Sequence, residues 1–435
     1  MEIVVEPTLM VIGLNHRTAP AAVRERFWIN EERRHEALLL LIRSEGIDEA
    51  MVLVTCNRTE FLLWASDAEL AADSAFRFLS SEYGLKLSEW EHFYRLLDDE
   101  ALLHVFRVAC GLDSAVLGEP EIVSQLKAAW EQAKRAESTV RFLDALMEKA
   151  LAVSERVRQE TALEKTAVSI SSAAVELARR AVGMLNGKKV LLLGTGKTSE
   201  LAARGLVSGG ASSICVLARN YEQARELAVA LGGTAVSLED RWQQMAAADV
   251  VISPTCCPQT ILSREEAENL ARERRGRPLV IVDFALPRNV DPGVRQVTGI
   301  FLYDIDDLNR VAQGGAGERE AAAAEAMKLV RAESQGFRCK LLAERVLPTI
   351  AALRHRLDQI CRQELDSFRQ ECGPFSKDED ETLQAVTSRV TQRIAGSLAR
   401  ELKELPEPLE QEMTAAVQRL FHLETPETAL AGTRS

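Results

Sequence analysis

The 435-residue chain contains no uninterrupted apolar run of the ~18–20 residues that a membrane-spanning helix needs. No basic segment precedes the apolar residues of its N-terminus, MEIVVEPTLMVIGL, so no secretory signal is expected and a cytoplasmic location with no membrane partner follows. Positive charge is in short supply: 53 Lys and Arg against 65 Asp and Glu, a net charge of -12. That balance excludes sequence-blind nucleic-acid binding through a generally basic surface. It leaves room for a local basic face, for which RHRLDQICRQ and SRVTQRIAGSLAR are candidates. The eight cysteines include no Cys-x-x-Cys, and the six histidines form no ligand-spaced pair. A zinc site and a disulfide framework are therefore excluded, and no metal is expected.

The length suits two to four domains of roughly 100–200 residues. Three textures succeed one another along it. LMVIGLNH reads as a strand, AAVRERFWINEERRHEALLLLIRSEG as one amphipathic helix, and AMVLVTCNRTEFLLWAS as two β-rich runs around a polar turn. DAELAADSAFRFLSSEYG is helical and HFYRLL a last strand, giving the βαββαβ order of a ferredoxin-like domain. Helical sequence then runs through Arg158. From Lys188, the short apolar runs VLLLG, SSICVLA, GTAVSL, DVVISPT and PLVIVDF alternate with helical stretches, as in a doubly wound, Rossmann-type parallel sheet covered on both faces. From about Glu318 the chain is helical. EREAAAAEAMKLVRAESQGFRCKLLAERV predicts one helix of ~29 residues, ~43 Å long. Beyond Pro348, Ile350, Leu353, Leu357 and Ile360 form a stripe at three-four spacing. That stripe suits either dimerisation or an intrachain bundle.

Two phosphate-binding readings compete at VLLLGTGKTSELAARGL. A triphosphate loop needs G-x-x-x-x-G-K-[ST], but Leu191 stands where its first glycine belongs. The apolar run ending at Asp283 resembles a Walker B strand only weakly. A dinucleotide loop needs G-x-G-x-x-G between strand and helix. Gly194, Thr195, Gly196, Lys197 and Thr198 supply its first part, and the small Ser199 takes the third glycine's place. The next strand ends at Arg219 rather than at an acidic residue. A cation there attracts a 2′-phosphate, which favours NADPH over NADH. Cys56, at the TCNRTE turn, is the candidate nucleophile. Arg58 nearby is expected to favour its thiolate.

These blocks resemble the glutamyl-tRNA reductase family. The likeness is carried by GLNHRTAP, VTCNRTE, HVFRVACGLDSAVLGEPEIVSQLKAA, GTGKTSELAA, DFALPRNVDP and YDIDDL, in that order, over the first three-quarters of the chain. The resemblance implies that Cys56 attacks the activated ester of glutamyl-tRNA(Glu) and that NADPH reduces the resulting thioester to glutamate-1-semialdehyde. That is the first step of 5-aminolevulinate and porphyrin synthesis. It implies Arg58 as clamp for the substrate carboxylate, and Thr55 and Asn57 as groups orienting the glutamyl moiety. Ser114, Glu119, Pro120, Glu121 and Gln125 match substrate-contact positions, with Glu121 standing where the family commonly has Gln. His104 matches a general acid or base. The adjacent Cys256 and Cys257 fall near the nicotinamide, where small residues are usual. The implied domains are residues 1–158 for catalysis and tRNA, 159–312 for NADPH, and 313–435 for a long helix and helical homodimerisation. A glutamate-1-semialdehyde aminomutase is the implied partner. A non-catalytic homologue that binds tRNA or a pathway partner is the alternative.

Overall fold

The computed structural model describes residues 7–163, 170–253, 260–312, 317–373, 375–405 and 407–423. It divides into two compact units, residues 1–331 and 332–435.

The first unit opens with β1 (Thr8–Asn15), α1 (Ala21–Arg26), α2 (Glu31–Ile42), β2 (Ile47–Val54), β3 (Arg58–Ala65), α3 (Ala68–Tyr83) and β4 (Tyr94–Leu97). The strands form an antiparallel sheet in the order β2-β3-β1-β4, the ferredoxin-like arrangement. The single helix expected between β1 and β2 is two helices. Asn30 accepts from the Arg33 N–H at 2.8 Å and caps α2, while Phe27 and Ile29 turn fully inward. Capping and burial together outweigh the continuous helical pattern. Gly13 of β1 lies opposite Glu60 of β3, and a Cβ there would come within 2.8 Å of the Glu60 side chain. The glycine thus leaves room for a buried carboxylate. Helices α4 (Asp98–Ala109), α5 (Glu121–Arg135), α6 (Phe142–Glu160) and α7 (Ile170–Val182) follow.

Next come β5 (Lys189–Leu193), α8 (Lys197–Ser208), β6 (Ser213–Leu217), α9 (Tyr221–Ala230), β7 (Thr234–Val236), α10 (Arg241–Ala247), β8 (Val250–Ser253), α11 (Arg264–Glu273), β9 (Leu279–Asp283), β10 (Ile300–Tyr303) and α12 (Ile305–Ala312). All six strands are parallel, in the order β10-β9-β8-β5-β6-β7. This is the Rossmann order, whose reversal between β5 and β8 opens the crevice used for dinucleotides. The sequence pattern had given five strands. The sixth, β10, is a four-residue edge strand with alternating burial and lacks the continuous apolar run of its neighbours.

Helix α13 (Gly317–Cys372) does not stop before Pro348 as its sequence suggested. Proline removes one N–H and crowds one carbonyl. Here Val346 and Leu353, on either side of it, are fully buried, so packing sustains the helix. In the second unit α13 is joined by α14 (Lys377–Glu404) and α15 (Glu407–Leu420). Thr391 donates to Asp358 at 2.8 Å and Gln418 to Thr349 at 3.0 Å, tying α14 and α15 to α13. Val386, Val390 and Ile394, spaced by four along one face of α14, remain about half exposed. Among the described residues no helix is long and apolar enough to cross a membrane, and no His, Cys, Asp and Glu group could hold a metal.

Candidate active site

Thr55, Cys56 and Asn57 form the turn between β2 and β3. The Thr55 hydroxyl accepts from the backbone N–H of Asn57 at 3.0 Å and of Arg58 at 3.2 Å, so it shapes the turn itself. The His16 N–H donates to the Asn57 carbonyl at 2.8 Å, fastening the end of β1 to the same turn. Cys56 is half-buried and packs against the core cluster that contains Val116, Ile305 and Leu308.

Arg58 points away from solvent, with 1% of its surface exposed. Its guanidinium donates to Glu60 at 2.6 Å, and to the backbone carbonyl and carboxylate of Asp113 at 2.6 and 3.0 Å. Glu60 also accepts from Tyr94 and lies 2.9 Å from His104 Nε2. Asp113 in turn binds Arg107 at 3.0 Å and Arg17 at 3.1 Å. Burial alone would raise the Glu60 carboxyl, but Arg58 and His104 outweigh it and hold it well below the usual carboxylate range. Burial also opposes the charge on Arg58, yet Glu60, Tyr94 and Asp113 prevail and keep it firmly protonated.

Two expectations need correction here. Arg58 is held by two carboxylates and is not among the main influences on the Cys56 thiol. Burial pushes the Cys56 thiol up to about 12, and the charges of Glu119 and Glu121 add to the shift. The same pairing changes the clamp expected of Arg58. A substrate carboxylate reaching this fork would have to share its donors with Glu60 and Asp113.

Ser114 is buried and follows Asp113 in the loop after α4. Glu119 is half-buried, and burial with the neighbouring Glu121 charge raises its carboxyl to about 7. Pro120 caps α5 and Gln125 lies half-buried one turn in. Glu121 accepts from the Thr198 hydroxyl at 2.9 Å, a direct link from this block to the glycine loop. In that loop Gly194 takes a left-handed φ of 86°, and its N–H donates to the Leu217 carbonyl at 2.6 Å. Gly196 caps α8, whose first turn holds Lys197, Thr198 and Ser199. Ser199 is fully buried, the close helix packing its small size permits. Arg219 is exposed just beyond β6, without an ionic partner among the described residues. Asp283, read as a weak Walker-B-like residue, accepts three backbone N–H bonds from Ala285, Asn289 and Val290, which gives it a structural task. Cys256 and Cys257 lie outside the described residues.

The two sheets of this unit meet at the site. Arg24, 1% exposed on α1, binds Asp306 on α12 at 2.9 Å, and Glu25 binds Arg288 in a two-point contact at 2.6 and 2.8 Å. Asn309 Nδ2 on α12 donates to Asn57 Oδ1 at 3.0 Å. A cleft of about 450 Å³ opens between them, lined by His16, Arg17, Ser114, Asp306, Asn309 and Arg310, among others. Burial, then Arg58 and Arg17, lower the His16 imidazole to about 4, so it is neutral at pH 7.

Residues 12–161 match the family model for the glutamyl-tRNAGlu reductase N-terminal domain. Residues 176–311 match that of shikimate / quinate 5-dehydrogenase, and residues 325–423 that of the glutamyl-tRNAGlu reductase dimerisation domain. The chain is 37% identical to the glutamyl-tRNA reductase of Solibacter usitatus over 418 residues, covering 96% of this chain and 99% of that one. The chain belongs to the glutamyl-tRNA reductase family. The reductase of Pelotomaculum thermopropionicum is 38% identical over 420 residues, covering 96% of this chain and 95% of the other. Among solved structures, the glutamyl-tRNA reductase from Methanopyrus kandleri is 30% identical, with a TM-score of 0.49, covering 95% of this chain and 99% of that one.

Against this family frame, sequence reasoning missed Glu60, Asp113, Asp306 and Asn309. The first three lie inside the quoted blocks and Asn309 directly follows YDIDDL. Their partners are remote in sequence: 44 residues separate Glu60 from His104, and 252 separate Asn57 from Asn309. Neither charge pattern nor periodicity reports such pairs.

Proposed function

We propose that the chain reduces the glutamyl group of glutamyl-tRNA(Glu) with NADPH to glutamate-1-semialdehyde, through a thioester on Cys56, the opening step of 5-aminolevulinate synthesis. The observation that carries this reading is the meeting of the Cys56 turn with the nucleotide fold, through Asn57 to Asn309 and Glu121 to Thr198. The turn that carries the thiol and the block before α5 are each hydrogen-bonded to the nucleotide fold.

The residues present fit the cofactor. The left-handed Gly194, the cap at Gly196 and the first turn of α8 offer backbone N–H groups to a pyrophosphate. The exposed Arg219, without an ionic partner among the described residues, suits a 2′-phosphate. When bound, NADPH supplies the hydride. The remaining work falls to this chain. Cys56 Sγ forms a bond to the glutamyl carbonyl carbon, and the ester bond to the tRNA ribose breaks. The ribose oxygen takes up a proton. Glu60 orients His104 as a carboxylate orients an imidazole in a proton-transfer dyad, which supports His104 as the acid or base of that exchange. Thr55 sets the turn, Arg58 meets the substrate carboxylate with donors it shares with Glu60 and Asp113, Asn57 orients the glutamyl group, and Ser114, Glu119, Pro120, Glu121 and Gln125 form its surround.

Residues 1–158, 159–312 and 313–435 serve catalysis, cofactor binding and homodimerisation respectively, with the exposed face of α14 as the contact between copies. The protein acts in the cytoplasm and hands its reactive aldehyde to an aminomutase. Incubation with glutamyl-tRNA and NADPH, followed by trapping of the semialdehyde, tests the reading. Cys56→Ser should abolish product, and Arg219→Ala should narrow the preference for NADPH over NADH. Product formation by Cys56→Ser would refute the thioester.

A further inference from the structure

Asn309 stands at an unusual junction. It belongs to α12 of the nucleotide fold, is 4% exposed, and lines the cleft beside the Cys56 turn. Its amide is used on one side only. Nδ2 holds Asn57, the residue next to Cys56, at 3.0 Å. Its Oδ1 is buried and has no hydrogen-bond partner among the described residues. A buried acceptor left unsatisfied is destabilising, and where a native fold keeps one, a ligand or an ordered water completes it.

The other charged groups of the cleft are already paired. Asp306 accepts from Arg24 and from the Ala21 N–H, Arg17 binds Asp113, and Arg310 binds Asp307. Asn309 Oδ1 is therefore an acceptor in waiting, set one hydrogen bond away from the residue that follows the nucleophile. The glutamyl ester carries one cationic donor near its reacting carbon, the α-ammonium, two bonds from the carbonyl that Cys56 attacks. An amide oxygen suits it. It accepts a charge-assisted hydrogen bond, yet adds no negative charge beside a thiol already facing Glu119 and Glu121.

We infer that Asn309 is a substrate-binding residue contributed by the nucleotide fold: its Oδ1 accepts an N–H of the glutamyl α-ammonium while its Nδ2 fixes Asn57. The inference rests on the glutamyl-tRNA reading above and deepens it. It makes the acyl site complete only when the two folds are docked as they are here. Recognition of the amino acid is then coupled to the approach of the hydride donor's domain.

The test compares two substrates with NADPH: glutamyl-tRNA, and tRNA acylated with glutarate, which lacks only the amino group. Wild type should prefer glutamyl-tRNA by about 10–100-fold in kcat/KM, the range for one hydrogen bond to a charged group. Asn309→Ala should reduce that preference to within about threefold, through a loss on glutamyl-tRNA that glutaryl-tRNA does not share. Asn309→Asp keeps an acceptor and should keep the preference, while both substrates slow because Asn57 loses its donor. Should the alanine variant fail to fold, the aspartate variant decides alone, and loss of the preference in it would overturn the inference. An equal fall on both substrates in Asn309→Ala would reveal a purely structural residue and overturn it too. Failure of the underlying reading looks different: wild type turns over neither substrate, or Cys56→Ser remains active.

Discussion

The resting state of Cys56 can be measured directly. Its thiol sits at about 12 in place of the ordinary 9.0, first because of burial and then because of Glu119 and Glu121. At pH 8 an unperturbed thiol is roughly one-tenth thiolate and this one roughly one part in ten thousand, a thousandfold difference. A higher thiol pKa also makes the thiolate a better nucleophile, with a Brønsted slope of about 0.4–0.5, which returns about 20–30-fold. The ionisation effect wins, and the net suppression of alkylation is about 30–60-fold. Iodoacetamide labelling read peptide by peptide supplies the assay, with the exposed Cys339 and Cys372 as internal standards. Between pH 7 and 10 the Cys56 rate should climb tenfold per pH unit without flattening, whereas a free cysteine thiol of ordinary pKa flattens within that range.

Steric shielding alone would slow labelling but leave the profile of an ordinary thiol, which flattens, so the slope separates the two causes. Glu119→Gln with Glu121→Gln should restore part of the rate, roughly threefold, since burial remains the larger cause. A Cys56 that labels at pH 8 within threefold of Cys339, with a plateau near 9, would refute the buried-thiol description. It would also return the thiolate to the resting state, as the Arg58 neighbour had suggested. If the prediction holds, ionisation waits for substrate, and the free enzyme carries a thiol guarded against oxidation.

Glu60→Gln should destabilise the protein by about 3–5 kcal/mol, because Arg58 would stay buried without its closest counter-charge, and a lowered Tm would report it. Between pH 4.5 and 6.5 one rising slope meets two falling ones. His16, lowered to about 4, gives stability that is complete above 6.5 and is lost as pH falls toward 4. Glu119, raised to about 7, gives stability that is complete below 4.5 and is lost as pH rises toward 7. Asp283, which burial raises to about 6, adds a second loss as pH rises. Calorimetry across this window should find wild type losing stability as pH rises, His16→Gln losing it more steeply, and Glu119→Gln less steeply. Matching slopes in all three would disprove the assignment. Val390→Glu places a charge in the middle of the exposed apolar face of α14 and should shift sedimentation from dimer to monomer while the monomer stays folded.

What the sequence disclosed and what it withheld divide by the range of the interaction. The glycine loop was legible because its parts are contiguous: an apolar strand, Gly194 and Gly196, then a helix with the small Ser199 in its first turn. The βαββαβ order was legible for the same reason, through alternating local patterns. The break between α1 and α2 was not, since the pattern is helical on both sides and only the burial of Phe27 and Ile29 decides it. Nor was the electrostatic surrounding of Cys56. Arg58 lies two residues away, and proximity along the chain suggested that it acts on the thiol. As the first residue of β3, however, Arg58 shares a face with Glu60, two positions on, and both point into the sheet's packed side.

The charges that raise the thiol come instead from Glu119 and Glu121, more than 60 residues later, across the loop that also holds Asp113, against a smaller opposing pull from Arg24. That exchange of neighbours alters the chemistry expected of the site. A thiol beside a free arginine would be a standing nucleophile, open to any electrophile. A thiol on which burial and two carboxylates outweigh Arg24 is dormant until a further cation enters. The substrate's own α-ammonium is such a cation, and Asn309, reaching across from the nucleotide fold, is placed to receive it. Nucleophile activation, amino-acid recognition and the docking of the hydride domain then depend on one hydrogen-bonded junction, which the paired substrates and the labelling profile probe from opposite sides.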